Sequence, residues 1–223
     1  FSKPDSGIGR TIFRVLGVIL MLSAIAATGS RMGLALGLLA AFSSTLLFWD
    51  PAGRKSRKTI FAFLGLGVAA TLALASSAIV SRTVDRFDSV SGDQRWAIWQ
   101  DSVDLGREYS PLGVGIGGFE GAYAKREDIA DLRPEFVNNA HNDYIEVFIE
   151  SGWPGAVVLI FSIIFISYGV YRAVILPRGM ERNQRLTGGL MLFLIFIHSV
   201  VDYPMRRMFI ASIAFFALAC LFQ

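Results

Sequence analysis

Residues 138–155, NNAHNDYIEVFIESGWPG, place a histidine just before a long apolar segment. His141 is closely followed by several carboxylates, and residues 151–171 then carry no charge. An apolar helix of that length is long enough to cross a bilayer. An ionisable side chain at the polar end of a membrane helix is well placed for chemistry at the membrane surface. The stretch therefore predicts a membrane protein with a candidate site at His141.

The composition of the whole chain supports a membrane protein. Hydrophobic residues make up 53% of the 223 residues and charged residues only 17%, whereas soluble domains are about a quarter charged. The shorter charge-free runs span a membrane only if flanking arginines snorkel, and a buried core helix is the alternative for each of them. We predict an all-α integral membrane protein, a polytopic bundle with about six spans, on the charge-free runs 15–30, 32–49, 59–81, 151–171, 186–201 and 208–223.

The charges predict how the chain is oriented. Residues 82–150 hold seven basic and fourteen acidic residues, although the whole chain has a net charge of +3. Basic clusters lie in the short segments 3–14, 54–58 and 172–185. Since short cytoplasmic loops are enriched in lysine and arginine, we expect these clusters inside and residues 82–150 outside. The basic balance then reflects topology, and nucleic acid is not an expected partner.

Other features bound the class of protein. The one cysteine, Cys220, excludes a disulfide or a cysteine metal cluster within the chain. We find no secretory signal pattern and read the sequence as the C-terminal part of a larger membrane protein. Residues 1–223 are expected to form a single membrane domain, with residues 82–150 as its outer loop. No serine-hydrolase elbow is present.

Two segments of the outer loop have a recognisable pattern. Residues 91–93 look like a helix start, and Trp96, Trp99 and Val103 then share one side, which suits either a helix on the membrane surface or a small packed core. Residues 111–118, PLGVGIGG, form a turn-rich loop that formally matches a dinucleotide fingerprint but lacks the preceding strand. A backbone nest for a phosphate or sugar and a plain turn both remain open.

The segment 141–150 has the periodicity of an amphipathic helix that runs into the apolar run, with Pro154 near the join. An apolar-leaning side and a polar side are predicted. The first holds His141, Tyr144, Ile145 and Phe148; the second holds Asn142, Asp143, Glu146 and Glu150.

Several ionisable residues have more than one interpretation. Arg31 is an interfacial anchor or a ligand for an anionic substrate, and Arg95 is a solvated charge, a partner for carboxylates or a second such ligand. His141 lacks neighbours at metal-ligand spacing, so it is a structural histidine or a base that positions a hydroxyl. His198, four residues before Asp202, is expected to hydrogen-bond across the bundle as a structural residue.

These motifs, in this order, resemble the signature of the O-antigen ligase and polymerase superfamily. The resemblance spans residues 29–204, with one minor departure at Ala35, where leucine is frequent. The matching motifs are His141-Asn142-x9-Gly152-x-x-Gly155, Arg95-x3-Trp99, Pro111-Leu112-Gly113-Val114-Gly115 with Phe119, Ser30-Arg31, and His198-x3-Asp202-Tyr203-Pro204.

The resemblance implies a GT-C-like, multi-pass glycosyltransferase of the bacterial inner membrane with a large periplasmic loop. Such enzymes transfer a glycan from undecaprenyl diphosphate to a glycan, lipid A-core or protein acceptor, without a metal or other cofactor. By this resemblance His141 is the catalytic residue, Arg31 and Arg95 bind the diphosphate, and Asn142 and Tyr144 bind sugar hydroxyls. The competing class is a transporter or flippase of lipid-linked sugar, or a non-catalytic assembly subunit, and the scarcity of polar residues in the apolar runs weighs against transport.

Overall fold

The computed structural model describes residues 30–47, 91–126 and 137–223, together with the single positions 17, 20, 21, 24, 25 and 65. Within these residues the chain forms helices and turns and contains no strand. It divides into two compact units, Phe1–Ser89 and Val90–Gln223. A single membrane domain over residues 1–223 stays a prediction.

The first unit contributes one described helix, α1, and the second contributes the rest. The second unit also holds a short 3-10 turn, Pro204–Arg206, between its last two helices. The helices are α1 (Arg31–Leu47), α2 (Ser91–Glu108), α3 (Phe119–Ala124), α4 (Asp143–Ile175), α5 (Met180–His198) and α6 (Met208–Phe222).

The all-helical fold class is confirmed for the described part of the chain. Helices α1, α4, α5 and α6 lie on four of the six charge-free runs, and residues 15–30 and 59–81 lie outside the described residues. By length and composition α4 is the one described helix able to cross a membrane, whereas Met32–Ser44 and Met208–Phe222 are apolar but shorter. The number of spans therefore stays a prediction.

Helix α4 consists of two helical segments joined by a kink at Gly152, whose φ of 56° and ψ of −147° are not helical. In an unbroken helix the carbonyl of Glu150 would accept from residue 154, but Pro154 has no N–H to donate. The predicted join near Pro154 is thereby confirmed. Beyond the kink, residues 153–175 extend about 34 Å, enough to cross a bilayer core of about 30 Å.

The glycine-rich loop supplies the hydrogen bonds that the kink leaves unmade. Val114 N donates to Ile149 O and Gly115 N to Glu150 O, both at 2.9 Å, while Trp153 N donates to Pro111 O at 2.9 Å. Buried backbone groups need such partners. The loop therefore supports α4 structurally. Its amides at positions 114 and 115 donate to α4 and are not available to bind a ligand.

Two glycines make this contact possible. A Cβ at Gly152 would collide with Pro111 O, and a Cβ at Gly113 would lie 2.5 Å from the carbonyl carbon of Glu150. Both residues also have positive φ, at 56° and 80°. Only glycine meets both demands without strain.

Helices α2, α3 and the first part of α4 share a small apolar core formed around Leu105, Phe119 and Ile149, which are at most 1% exposed. Trp99 joins it by donating its indole N–H to Ala140 O at 2.9 Å, whereas Trp96 is 62% exposed. Of the two alternatives for this helix, the packed core is therefore observed for Trp99. Trp96 faces away from the core.

Helices α5 and α6 pack closely because small residues meet at their contact. A Cβ at Gly188 would collide with the carbonyl oxygen of Ala217, which is fully buried. Close packing of small residues is the usual way in which membrane helices associate. It holds the connecting turn, residues 199–207, beside the polar end of α4.

Candidate active site

The polar end of α4 is fixed to the 199–207 turn by Asn142, the N-cap of the helix. Its Oδ1 accepts from Tyr144 N at 3.0 Å and Ile145 N at 3.1 Å, and its Nδ2 donates to Val200 O at 2.8 Å. An asparagine at this position satisfies amides that have no partner within the helix. One side chain thus starts α4 and also holds the turn against it.

His141 lies just before α4, not on the helix as predicted. Its φ is 51°, in the left-handed region, so the chain turns sharply into the N-cap at Asn142. The His141 side chain is 35% exposed, its Nδ1 lies 3.6 Å from Asp202 Oδ1, and its ring centroid lies 5.1 Å from that of Tyr203. The imidazole therefore lies against the 199–207 turn on one side and is open to the surface of the protein on the other.

Asp202 lies between the two histidines of the chain. Its Oδ1 faces His141, and its Oδ2 lies 3.9 Å from His198 Nε2. Both distances exceed those of a hydrogen bond, and such contacts often shorten only when a substrate binds. His198 ends α5 and, among the described residues, lies beside the aspartate of its own turn. A hydrogen bond from His198 across the bundle stays a prediction.

The polar side of the 143–150 segment is the buried side. Asp143, Glu146 and Glu150 are 8%, 1% and 5% exposed. The periodicity predicted an amphipathic helix, and the structure shows that its carboxylates face inward. Buried charges need partners, and the helix finds them in the 199–207 turn.

Arg206 is the principal partner of these carboxylates. Its Nε lies 3.0 Å from Glu146 Oε1, and its Nη2 donates to Glu150 Oε2 at 2.6 Å. Asp143 Oδ2 accepts from Ser199 Oγ at 2.8 Å and from Met205 N at 3.2 Å. The guanidinium fork spans one helical turn of α4 and thereby clamps the 3-10 turn onto it.

Of the predicted substrate-binding residues, the structure describes the side chains of Asn142 and Tyr144 but not those of the two arginines. Arg31 begins α1 in the first unit and Arg95 lies in α2, but the side chains of both lie outside the described residues. Their predicted convergence with His141 therefore stays a prediction. Tyr144 donates its hydroxyl to Phe196 O at 2.8 Å, so it also ties α4 to α5, and a contact of Asn142 or Tyr144 with a sugar stays a prediction.

Sequence reasoning missed the carboxylate cluster and the clamp at Arg206. Their partners lie 56 residues or more apart in the chain, which no local periodicity reveals. The left-handed conformation of His141 was also missed, although Asn142 followed by Asp143 and Glu146 is a readable helix start. Among the described residues no group of three or more metal-binding side chains converges.

Comparison with known proteins identifies the family. Residues 16–160 match the sequence model of the O-antigen ligase family, which is more than half of the 223 residues. No curated protein and no solved structure matches the chain. The matched residues include Arg31, Arg95 and His141 and end before the 199–207 turn. The chain therefore belongs to the O-antigen ligase family, whose members are membrane proteins that transfer or polymerise glycans in lipopolysaccharide synthesis.

Proposed function

We propose that this protein transfers or polymerises a glycan from an undecaprenyl-diphosphate-linked donor at the periplasmic face of the bacterial inner membrane. The observation that carries the proposal is the position of His141. Its imidazole is partly exposed at the polar end of the membrane-length helix α4 and faces a carboxylate. That arrangement suits a general base at a membrane surface.

In the proposed reaction an acceptor hydroxyl oxygen attacks the anomeric carbon of the donor sugar. The bond from that carbon to the diphosphate breaks, and undecaprenyl diphosphate leaves. The hydroxyl proton goes to Nε2 of His141. Asp202, which faces Nδ1 at 3.6 Å, favours the tautomer with the proton on Nδ1 and stabilises the imidazolium that forms.

The remaining site residues are assigned by their chemistry. A leaving diphosphate needs cations, and the forked guanidinium groups of Arg31 and Arg95 are the proposed ligands. Asn142 and Tyr144 are proposed contacts for sugar hydroxyls, in addition to the backbone contacts described above. No metal or other cofactor enters the proposed mechanism.

The proposed setting is a multi-pass, GT-C-like bundle with about six spans in this chain. Residues 82–150 then lie in the periplasm, and the acceptor is a glycan, lipid A-core or protein. The positive-inside distribution of arginine and lysine supports this orientation.

Reconstitution of the full-length protein in vesicles tests the proposal against transport. The vesicles contain lipid-diphosphate-linked glycan and are supplied with acceptor on the outer side. Transfer predicts that the glycan becomes covalently attached to the acceptor while free undecaprenyl diphosphate accumulates. A donor that changes leaflet with its glycan still attached would instead indicate a flippase.

A further inference from the structure

Two neighbouring arginines in the 199–207 turn are in different environments. Arg206 turns inward and pairs with buried Glu146 and Glu150. Arg207 is exposed, and no salt bridge within the described ranges includes it. The inward arginine has a structural partner for its charge, whereas the outward one keeps its charge available.

The Arg207 guanidinium lies over the ring of Tyr203, with its central carbon 5.3 Å from the ring centroid. Tyr203 in turn packs against His141, at 5.1 Å between ring centroids and 60° between ring planes. A cation over an aromatic face is held in place without using its hydrogen-bond donors. From these two distances the central carbon of the guanidinium lies at most 10.4 Å from the centre of the imidazole ring.

We propose that Arg207, positioned on the Tyr203 ring, is a phosphate-binding residue that contacts the diphosphate of the lipid-linked donor. The inference rests on the proposed function, because it takes His141 to mark the acceptor hydroxyl. The anomeric carbon reacts next to that hydroxyl and carries the diphosphate on its far side. A guanidinium held on the ring that packs against His141 is then in reach of a phosphate oxygen.

The chemistry of arginine supports this role. Its planar fork binds phosphate oxygens through two parallel hydrogen bonds, and its flat face stacks on an aromatic ring at the same time. Arg207 lies beyond the residues matched to the family, 16–160, so the assignment is drawn from the contacts of this chain. Phosphates of bilayer lipids share the same chemistry, and the experiment must separate them from the donor.

The direct test is binding of undecaprenyl diphosphate to the full-length protein in a neutral detergent without phospholipid. Arg207→Gln is expected to raise the Kd for this lipid by about 10- to 100-fold, the loss typical of a charge-assisted hydrogen bond. Arg207→Lys keeps the charge without the forked guanidinium, and its Kd is expected to lie between those of wild type and Arg207→Gln. Arg107→Gln is the matched control, because Arg107 is an exposed arginine paired with Asp104 at 3.1 Å, and its Kd should equal that of wild type.

Transfer kinetics provide the second readout, because a merely structural role would not act on one substrate alone. The KM for the donor should rise in Arg207→Gln, while the KM for the acceptor and the melting temperature stay unchanged. An unchanged Kd would overturn the inference, as would an effect that appears only in vesicles of anionic phospholipid. A wild-type protein that binds the lipid but transfers no glycan would refute the proposed function, and the role of Arg207 would still be decided by the Kd.

Discussion

At the scale of single residues, His141 has a backbone conformation that most residues avoid. Its φ of 51° lies in the left-handed region, which costs a non-glycine residue on the order of 1–3 kcal/mol. Hydrogen bonds from both following residues, Asn142 to Val200 O and Asp143 to Ser199 O, hold the chain there. The surrounding structure therefore fixes the position of the imidazole before any substrate arrives.

Gly152 is the residue on which the kink of α4 depends. Gly152→Ala is expected to destabilise the protein by about 2–4 kcal/mol, from the positive φ together with the collision of the new Cβ with Pro111 O. Thermal unfolding in detergent, followed by tryptophan fluorescence, measures the change.

Gly121→Ala is the matched control for this substitution. Gly121 lies in α3 with nothing within 4 Å of its Cβ position, so the change should be neutral or slightly stabilising. Equal melting temperatures for the two variants would show that the loop moves freely away from the kink and does not brace it.

At the scale of elements, two segments are held against the polar half of α4 by three sets of contacts. The glycine loop binds the carbonyls freed by the kink, the 199–207 turn accepts from the N-cap, and Arg206 clamps the buried carboxylates. All three contacts lie within the same few turns of one helix. A shift of the turn relative to α4 would therefore move Asp202 relative to His141.

Arg206→Gln is expected to weaken the contact between the 199–207 turn and α4. It leaves Glu146 and Glu150 buried without their counter-charge, which is expected to lower the free energy of unfolding by about 2–4 kcal/mol. This loss is smaller than for a fully buried pair, because the Arg206 side chain is 34% exposed. A second change, Glu150→Gln, should recover part of the loss by removing one buried charge.

The control for Arg206→Gln is again Arg107→Gln, which breaks a pair with side chains 74% and 52% exposed and should cost less than about 1 kcal/mol. Denaturation curves of the single and double variants give the coupling. If Arg206→Gln lowers the free energy of unfolding no more than the control does, the pairing of Arg206 with Glu146 and Glu150 contributes nothing to stability.

At the scale of the whole molecule, the charge distribution predicts a topology. After Cys220 is replaced by serine, a cysteine introduced at Gly121 should react with a membrane-impermeant maleimide added from the periplasmic side. A cysteine at Gly53 should be protected until the membrane is permeabilised. The reverse labelling pattern would overturn the proposed orientation, and with it a periplasmic site.

Patterns that are local in sequence were predictable, and contacts between distant segments were not. Apolar runs located α1, α4, α5 and α6, and Pro154 located the kink. Both signals are local, because an apolar run and a missing backbone N–H affect the structure at their own positions in the sequence. Periodicity separated the two sides of the 143–150 segment but did not show which one is buried, since Arg206, 56 residues from Glu150, decides that. The family motifs pointed to His141, whose catalytic role stays a prediction. Its position just before α4 and its left-handed backbone follow from contacts of the next two residues with the 199–207 turn.

The central claim, that His141 acts as the base in glycan transfer, is tested most directly by the transfer rate of the His141→Asn variant. Asparagine tolerates a positive φ and forms hydrogen bonds, so the fold should be retained, but its amide accepts no proton near neutral pH. With purified full-length protein, lipid-diphosphate-linked glycan and acceptor, we expect the rate to fall by about 10²–10⁴ at an unchanged melting temperature. A rate within a few-fold of wild type would contradict the claim and remove His141 from the chemistry.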